Sequence, residues 1–288
     1  MRWADMTWPD LEKVGPGTAI LWPVASCEQH GYHLPVFTDS YIVSALGDEI
    51  EQKLPDRVLL LPTLWLGASH HHRFFPGALS LPETLYMQVL QRVLECLIDS
   101  PVCAPGKVKR IFLLNAHGGN MYPGQAVLSE VAWKFRHRPE VIVAFGSYWV
   151  TSDEAMRSAQ LETSVLTHAC EYETSLVLAI RGELVHMDRA VAYDVNWKNT
   201  RFTPDASRPS KVVVAAPFHA RSANGALGSP ELASQEKGER LLRAVSDDLV
   251  QFMDEFLAWP DLDRARPRKK AGVRTPRQPR SRARSRAR

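Results

Sequence analysis

The 288-residue chain lacks the features that mark several common classes of protein. No apolar run approaches the roughly 20 residues that span a bilayer, and the first residues contain no unbroken apolar core of the kind that a signal peptide needs. The four cysteines form no CxxC pair, which argues against a disulfide framework or a redox motif. We therefore expect a soluble, cytoplasmic protein with reduced thiols and no membrane contact.

Three familiar catalytic motifs are also missing. The sequence contains no GxSxG nucleophile elbow, no HExxH zinc motif and no Walker glycine loop. Serine hydrolases with a nucleophile elbow, HExxH metalloproteases and P-loop nucleotidases are thereby excluded.

The C-terminal segment lacks acidic and aromatic residues. Residues 264–288 contain twelve Lys or Arg and no Asp or Glu, so residues 1–263 hold 35 − 12 = 23 basic against 32 acidic residues, a net charge of −9. With one valine as its only sizeable aliphatic residue, this segment cannot offset the entropy lost on ordering. We predict one domain over residues 1–259 and a disordered basic tail over residues 260–288.

Four apolar segments have the composition of buried strands. Their hydrophobicity is nearly continuous rather than alternating, which is typical of strands covered on both faces. The segments are residues 18–25, 57–62, 108–117 and 140–150.

Helical patterns lie between these strands. One is predicted to begin with Thr38 or Asp39 as its N-cap, and another with Ser80 as cap and Pro82 just inside. Residues 186–230 are rich in turn-forming residues and indicate irregular structure. The alternation of strand and helix predicts an α/β fold, a three-layer α/β/α sandwich with a mostly parallel sheet.

Histidines and carboxylates follow the predicted strands. Ligand sites in such folds collect at the carboxyl ends of strands, in the loops that lead into helices. The segments concerned are CEQHGYHLPVFTD after the first strand, GASHHHRFFPG after the second, NAHGGN after the third, and HACEYETS at the start of a later helix.

The first of these segments offers three potential metal ligands. Glu28 and His30 are two residues apart, so in an extended segment their side chains point to the same side. Asp39 can fold back from a helix start to join them, although a carboxylate there is equally explained as an N-cap. His33 is expected to orient a ligand or close the turn rather than to bind metal.

His117 ends the third strand and is followed by Gly118 and Gly119, which allow a sharp turn and a close backbone approach. A simple glycine turn with a solvated histidine is the alternative. An imidazole held at a strand end suits zinc, iron or manganese equally, so the spacing alone does not choose the metal.

The segment HACEYETS supplies His168, Glu171 and Glu173. In a helix His168 and Glu171, three residues apart, share a face, whereas Glu173 is rotated away from them. The three can therefore face one site only if the helix begins inside the segment. The apolar residues that follow favour an interior position over a solvated surface turn. Of the consecutive residues 70–72, all histidine, we expect at most one to enter a site.

Taken together, these motifs resemble the creatininase family. The resemblance covers residues 4–257 and rests on five separated motifs in the family's order, the last being GALGSPELASQEKGERLL. It implies a creatininase-like α/β sandwich, a centre of two divalent metal ions (zinc, with manganese or iron as alternatives), a small-molecule amide substrate and a homohexamer.

The resemblance also implies roles for particular residues. Glu28, His30, Asp39 and His117 match the metal ligands, with Asp39 bridging the two ions. His168 matches a proton-shuttling histidine. Ser69 and His72 match a substrate-side S-x-x-H motif. We add Gly118 and Tyr122 as substrate-binding candidates, and further candidates for the pocket wall are Tyr32, Trp65, Phe74 and Trp149.

The chain departs from the family pattern at one ligand position. Creatininase carries a glutamate two residues after the loop histidine, and here that position is Gly119. This places the chain nearer the HGGN branch, which includes formamide deformylases and the mycofactocin precursor peptidase, and makes creatinine a less favoured substrate. We expect Glu173 to replace the missing carboxylate, with Glu171 as second choice and as a catalytic candidate beside His168. Cys27 and Cys170 are expected to be small buried packing residues.

Two functional hypotheses follow. The first is a metal-dependent amidohydrolase that uses a metal-bridged hydroxide to hydrolyse a non-standard C–N amide bond in a cyclic amide, a formamide or a short peptide. The alternative is a protein that binds nucleic acid or another polyanion through its Arg-rich tail, with a degenerate, non-catalytic creatininase-like domain. Deletion of residues 264–288 discriminates between them.

Overall fold

The protein is built on a four-stranded, fully parallel sheet. A computed structural model describes residues 1–163, 165–193, 201–206, 208, 210–214 and 216–261. The strand order is β2-β1-β3-β4, and the strands are β1 (Ala19–Val24), β2 (Val58–Leu60), β3 (Arg110–Asn115) and β4 (Ile142–Ser147). Each lies inside one of the four predicted apolar segments, so the strand predictions are confirmed.

Helices cover both faces of this sheet, as the α/β prediction required. In the described part of the chain they are α1 (Trp8–Leu11), α2 (Thr38–Lys53), α3 (Glu83–Asp99), α4 (Met121–Lys134), α5 (Tyr148–Thr151), α6 (Asp153–Ser158), α7 (Glu171–Arg181) and α8 (Gln235–Ala258).

The alternation of side chains along the central strands divides the core in two. Leu21 of β1 and Phe112 of β3 pack with the buried residues of α2, α7 and α8. Ile20 and Leu113 point to the opposite face and pack with α3 and α4. Because both faces are covered, β1 and β3 are buried along their whole length.

Two predicted helix caps were wrong. Helix α2 begins at Thr38 with Phe37 at the N-cap position and no side-chain cap, and α3 begins at Glu83 with Pro82 at that position. The predicted cap side chains are engaged elsewhere: the Thr38 hydroxyl donates to the carbonyl of Pro35, and the Ser80 hydroxyl accepts from the backbone N–H of Ser69. Both side chains thus bond backbone groups outside their helices instead of capping them.

The remaining expectations concern irregular segments. Within residues 186–230, the described portions contain short 3-10 turns and no α-helix or strand, as predicted. Of the predicted tail, only Pro260 and Asp261 are described, and Asp261 pairs with Lys109 and Arg110 at 2.8 and 3.2 Å. Residues 262–288 lie outside the described residues. No helix in the described part of the chain is long and apolar enough to cross a membrane.

Candidate metal centre

Five titratable side chains meet at the carboxyl edge of the sheet. They come from the segment after β1, the turn after β3 and the first turns of α2 and α7. All are almost completely buried, and we call them the ligand cluster: Glu28, His30, Asp39, His117 and Glu173.

Local structure aims each of these groups inward. After β1, Gly31 adopts a left-handed conformation (φ +67°), which lets His30 pair with Leu34 across a tight turn. After β3, the side chain of Asn115 accepts from the N–H of His117 and donates to its carbonyl, which fixes the turn that presents the imidazole. Asp39 lies in the first turn of α2, where the hydroxyl of Ser26 donates to its carboxylate at 2.7 Å.

The first of two ligand trios consists of Glu28, Asp39 and His117. The His117 Nδ1 atom lies 3.2 Å from a Glu28 oxygen and 3.3 Å from an Asp39 oxygen. One potential ligand atom from each residue falls within 4.8 Å of the others, a spacing that can hold a metal ion. Ser69 donates a hydrogen bond to the same Glu28 carboxylate.

The second trio consists of His30, Asp39 and Glu173. The His30 Nε2 atom lies 3.0 Å from Asp39 Oδ1 and 4.0 Å from Glu173 Oε2. The carboxylate of Glu173 is held by the Ala169 N–H at 2.5 Å and the Tyr172 hydroxyl at 2.9 Å. Asp39 belongs to both trios, with one oxygen facing each, which is the arrangement of a bridging carboxylate.

One buried atom in this cluster makes no hydrogen bond. His30 Nε2 is fully buried and lacks a hydrogen-bond partner, although Asp39 Oδ1 is only 3.0 Å away. Its other ring nitrogen lies 3.2 Å from the Glu28 carbonyl, so Nε2 is the atom left facing the carboxylates. A buried ring nitrogen between two carboxylates suits a proton or a metal ion, and the mixed oxygen and nitrogen donors suit zinc, manganese or iron.

The pKa values show that the cluster attracts positive charge. Burial alone would lower the pKa of His30, but the charges of Asp39 and the other carboxylates raise it to about 9. The pKa of His117 is raised to about 10 by Glu28 and Asp39 in the same way, against the effect of burial. Burial raises the pKa of Glu173 to about 7. In the metal-free protein, protons on the two imidazoles therefore supply the positive charge.

Gly119 occupies a position where a side chain does not fit. A Cβ at this position would lie 2.2 Å from the Ala68 carbonyl oxygen and 2.5 Å from His117 Nε2. The loop is packed too closely there for any side chain, so the glutamate expected from the family pattern has no room in this arrangement. Glu173 brings its carboxylate to the cluster from the other side.

A glutamine organises two further histidines beside the cluster. Gln29 Nε2 donates to the Gly225 carbonyl at 2.9 Å and lies 2.8 Å from His72 Nδ1, while His168 Nε2 lies 2.7 Å from the Gln29 carbonyl. These partners assign the protons to Nε2 of both His72 and His168. The lone pair on His168 Nδ1 then faces the cluster, 3.6 Å from Glu28 Oε1.

A cavity of about 140 Å³ lies over this arrangement. Besides Glu28, Asp39, His117 and Glu173, its wall contains His71, His72, Ala116, Gly118, Trp149, Thr167, His168, Tyr172, Pro204, Ala206, Phe218, Arg221 and Leu227.

The expectation that at most one histidine of residues 70–72 enters a site was wrong. His72 is buried and His71 is partly buried, and both line the cavity, whereas His70 is exposed. The three residues form a 3-10 turn. Since successive side chains in such a turn are about 120° apart, two of the three can border one concave surface.

Glu171 does not join the ligand cluster. Its carboxylate accepts from the backbone N–H groups of Glu162 and Thr163 and from the Lys237 ammonium at 2.6 Å. Helix α7 begins at Glu171, so Glu171 and Glu173 leave its first turn in different directions. We therefore remove Glu171 from the catalytic candidates.

The other substrate-side candidates divide in a similar way. Gly118 lines the cavity, and Ser69 is buried behind it against Glu28. Tyr122 is 66% exposed and is not part of the cavity wall. Of the aromatic wall candidates, Trp149 lines the cavity, whereas those on the exposed surface of the single chain are Tyr32, Trp65 and Phe74.

Sequence reasoning missed Gln29, Phe218 and Arg221. Gln29 stands between two recognised ligands, and its side chain could have been suspected because a buried amide needs partners. Phe218 and Arg221 belong to the turn-rich region, where no periodicity signals a site; Phe218 stacks on His72 with ring centroids 4.3 Å apart.

The cysteines are placed as the sequence predicted. Cys27 and Cys170 are buried free thiols that donate to the carbonyls of Gly77 and Thr167. Burial raises the pKa of Cys170 to about 12, so its thiolate form is not populated at neutral pH. Neither belongs to a ligand trio.

Fold and cluster together define a class of protein: an α/β sandwich with a cluster of carboxylates and histidines at the carboxyl edge of a parallel sheet. The family model for creatininase, described as creatinine amidohydrolase, matches residues 4–253. The chain therefore belongs to the creatininase family and is a hydrolase of carbon–nitrogen amide bonds outside ordinary peptides.

Two curated relatives illustrate the range of this family. The mycofactocin precursor peptide peptidase of Mycobacterium ulcerans (strain Agy99) is 28% identical over 265 residues, covering 88% of each chain. The creatinine amidohydrolase of Pseudomonas putida is 28% identical over 267 residues, covering 87% of this chain and 95% of that one.

Solved creatininase structures share the fold. A mutant creatininase of the Zn–Zn type superposes with a TM-score of 0.72 at 23% identity, and a structure described as creatininase Mn gives 0.71 at 23%. Each alignment covers 88% of this chain and 97% of the other. At these identities the likeness establishes the fold, including the predicted α/β class.

Proposed function

We propose that this chain is a dinuclear, metal-dependent amidohydrolase that cleaves a non-standard C–N amide bond in a cyclic amide, a formamide or a short peptide. The observation that carries this proposal is the pair of ligand trios that share Asp39. The position of the buried His30 Nε2 atom, 3.0 Å from Asp39 and 4.0 Å from Glu173, supports it.

The residues divide between two ions. Glu28 and His117 would hold one ion, His30 and Glu173 the other, and Asp39 both. When bound, two such ions activate water at neutral pH and polarise the scissile carbonyl. Zinc and manganese are the favoured metals, with iron as an alternative, because the donors are mixed carboxylate and imidazole and because solved relatives are described with zinc and manganese.

His168 is placed to move a proton. Its Nε2–H is committed to the Gln29 carbonyl, so Nδ1 presents a lone pair to the cavity. A proton accepted there can be passed to the departing nitrogen as the C–N bond breaks, a general acid role worth typically 10²–10⁴-fold in rate. Phe218, in ring contact with His168 at 4.7 Å, keeps one side of the imidazole dry.

Other residues hold the reacting groups in place. Ser69 fixes the Glu28 carboxylate, and Gln29 fixes His72. His72 Nε2–H points to Glu28 Oε1 at 3.5 Å. Gly118, which has no side chain, leaves room for substrate beside His117.

Metal analysis tests this proposal. Wild-type protein should bind about two equivalents of divalent metal, and Asp39→Ala should lose both, because Asp39 serves both trios. Asp48→Ala is the matched control, since Asp48 is a partly exposed aspartate of the same helix, paired with Arg2. Less than one equivalent in wild type, or an unchanged content in Asp39→Ala, would contradict the dinuclear centre.

Hydrolysis assays would then narrow the substrate. Wild type, Asp39→Ala and Asp48→Ala should be compared on creatinine, small formamides, lactams and short peptides. We expect activity on at least one of these classes in wild type and Asp48→Ala only. Creatinine is the substrate we least expect, because Gly119 stands where creatininase has a glutamate.

The domain boundary, the cellular compartment and the oligomeric state are also proposals. We propose that residues 1–259 form the catalytic domain and that the protein works in the cytoplasm as a homohexamer. Large exposed side chains such as Phe74 (70%), Tyr122 (66%) and Trp133 (69%) support an assembly that covers them.

A further inference from the structure

Arg221 lies in the wall of the cavity that contains the ligand cluster. It follows the 3-10 turn Phe218–Ala220, and its backbone N–H donates to the Phe218 carbonyl at 2.8 Å. Because Phe218 stacks on His72, this turn is fixed relative to the cluster. The backbone that carries Arg221 therefore has a defined position beside the cluster.

The Arg221 guanidinium is incompletely paired. Within the described chain its one side-chain hydrogen bond is from Nη2 to the Val214 carbonyl at 3.1 Å, and no carboxylate lies within ion-pair distance. Its Nε atom is buried without a hydrogen-bond partner. Burial lowers the pKa of Arg221, and no acidic group opposes that effect. A half-buried cation with unused donors is costly unless a ligand completes it.

The charge of the loaded site would be balanced without Arg221. The cluster contains three carboxylates, so two divalent ions and the hydroxide that they activate would give a net charge of 4 − 3 − 1 = 0. Arg221 would then supply the excess positive charge, which attracts anions to a small cavity.

We propose that Arg221 binds a carboxylate of the substrate, and that the substrate is therefore a small amide with a carboxylate near its scissile C–N bond. This inference rests on the proposed amidohydrolase function and deepens it by naming the substrate class. The planar guanidinium matches a carboxylate through two parallel N–H···O bonds, which a lysine cannot form. The cavity of about 140 Å³ favours a compact acid.

A binding experiment separates this inference from the hydrolytic proposal. Calorimetry on the purified protein, with its metal content measured, compares N-acetylglycine with its uncharged analogue N-acetylglycinamide. We expect wild type to bind the acid tighter by on the order of 10- to 100-fold, the value of charge-assisted hydrogen bonds. Arg221→Met should abolish this preference, and Arg221→Lys should retain part of it.

Arg240→Met provides the matched control, because Arg240 is an exposed arginine on α8 and its loss changes the net charge equally. It should keep the wild-type preference. Thermal unfolding of each variant shows whether Arg221→Met is folded; if it is not, the comparison of Arg221→Lys with wild type decides. Equal binding of acid and amide by wild type, or an unchanged preference in the Arg221 variants, would overturn the inference while leaving the metal and hydrolysis results intact.

A second binding experiment distinguishes the carboxylate of a small acid from the C-terminal carboxylate of a peptide. The same comparison is made with a short peptide bearing a free or an amidated C-terminus. Tighter binding of the charged form in the N-acetylglycine pair alone supports a small acid as substrate. Tighter binding of the charged form in the peptide pair alone overturns the small acid and assigns Arg221 to a peptide carboxylate. Absence of a charge preference in both pairs contradicts the role of Arg221.

Discussion

At the scale of single residues, the centre is held together by side chains that each do two things. Asp39 faces both trios, and Glu173 also fixes the turn before α7 through the Ala169 N–H. Gln29 positions one histidine with its side chain and another with its carbonyl. A substitution at any of these positions therefore disturbs more than one neighbour, and such effects are not additive.

Metal binding should release protons. The pKa values of about 9 for His30 and about 10 for His117 mean that both imidazoles are protonated at pH 7 in the metal-free protein. Ligand imidazoles must be neutral, so we expect about two protons to leave on loading, plus part of one from Glu173. Calorimetry in two buffers of different ionisation enthalpy measures this number. His137→Gln, at an exposed histidine far from the cluster, should not change it.

The pH dependence of the stability of the metal-free protein follows from the same two pKa shifts. Because the two histidine pKa values are raised above that of the unfolded chain, their contribution to stability is fully present below about pH 6.5 and is lost as pH rises through 9 to 10. Apparent metal affinity should accordingly weaken on acidification. Metal uptake without proton release would show that the histidines are not ligands.

At the scale of secondary-structure elements, α7 and α8 form a rigid support for the centre. Gly238 of α8 packs so closely on α7 that a Cβ there would lie 1.8 Å from the Ser175 carbonyl oxygen. Beside it, Lys237 reaches Glu171 at the start of α7 and the carbonyl of Leu232. Glu171 in turn holds the backbone at Glu162 and Thr163, shortly before His168.

Glu171→Gln should destabilise the fold without removing a metal ligand. The variant leaves the Lys237 ammonium, which is 12% exposed, without its buried partner. We expect a loss of about 2 kcal/mol in the free energy of unfolding, below the range for fully buried pairs because Lys237 keeps its second partner, the exposed Glu162, at 2.8 Å and some solvent contact. Denaturant unfolding measures the loss, and metal content should stay at the wild-type level.

Glu255→Gln is the control for this prediction, since Glu255 is an exposed glutamate on α8. The pKa of Glu171 is lowered by Lys237 and Thr163 against the effect of burial, so the contribution of the pair is present at neutral pH and lost on acidification through the lowered pKa. Full stability with abolished hydrolysis in Glu171→Gln would restore Glu171 as a catalytic candidate.

At the scale of the whole molecule, charge is divided between a body with net charge −9 and a tail with twelve basic residues. Deleting residues 264–288 should abolish binding to heparin or RNA at low salt, because the remaining body repels polyanions. Hydrolysis by the truncated protein should equal that of the full chain. Fluorescence anisotropy over a salt series measures polyanion binding, and the substrate assay measures hydrolysis.

The outcome of this deletion experiment decides the role of the tail. Binding that weakens steeply with salt and vanishes on truncation makes the tail an electrostatic accessory to the enzyme. Polyanion binding that survives truncation would assign the contact to the body, and loss of hydrolysis on truncation would place the tail in the working assembly.

The sequence by itself determined the sheet, the family and most of the centre. Near-continuous apolar segments are typical of strands covered on both faces, and the positions of Glu28, His30, Asp39 and His117 after such strands place them at one edge of the sheet. These features depend on local pattern and on the topology of parallel sheets.

Tertiary structure alone decided the rest. Whether Glu171 or Glu173 reaches the cluster depends on where α7 begins and on Lys237, 66 residues away from Glu171. Likewise, Arg221 enters the cavity because its turn packs on His72, although no local pattern marks it. Such positions depend on contacts between segments that are distant in sequence, whereas a sequence pattern contains information only about residues near each other along the chain.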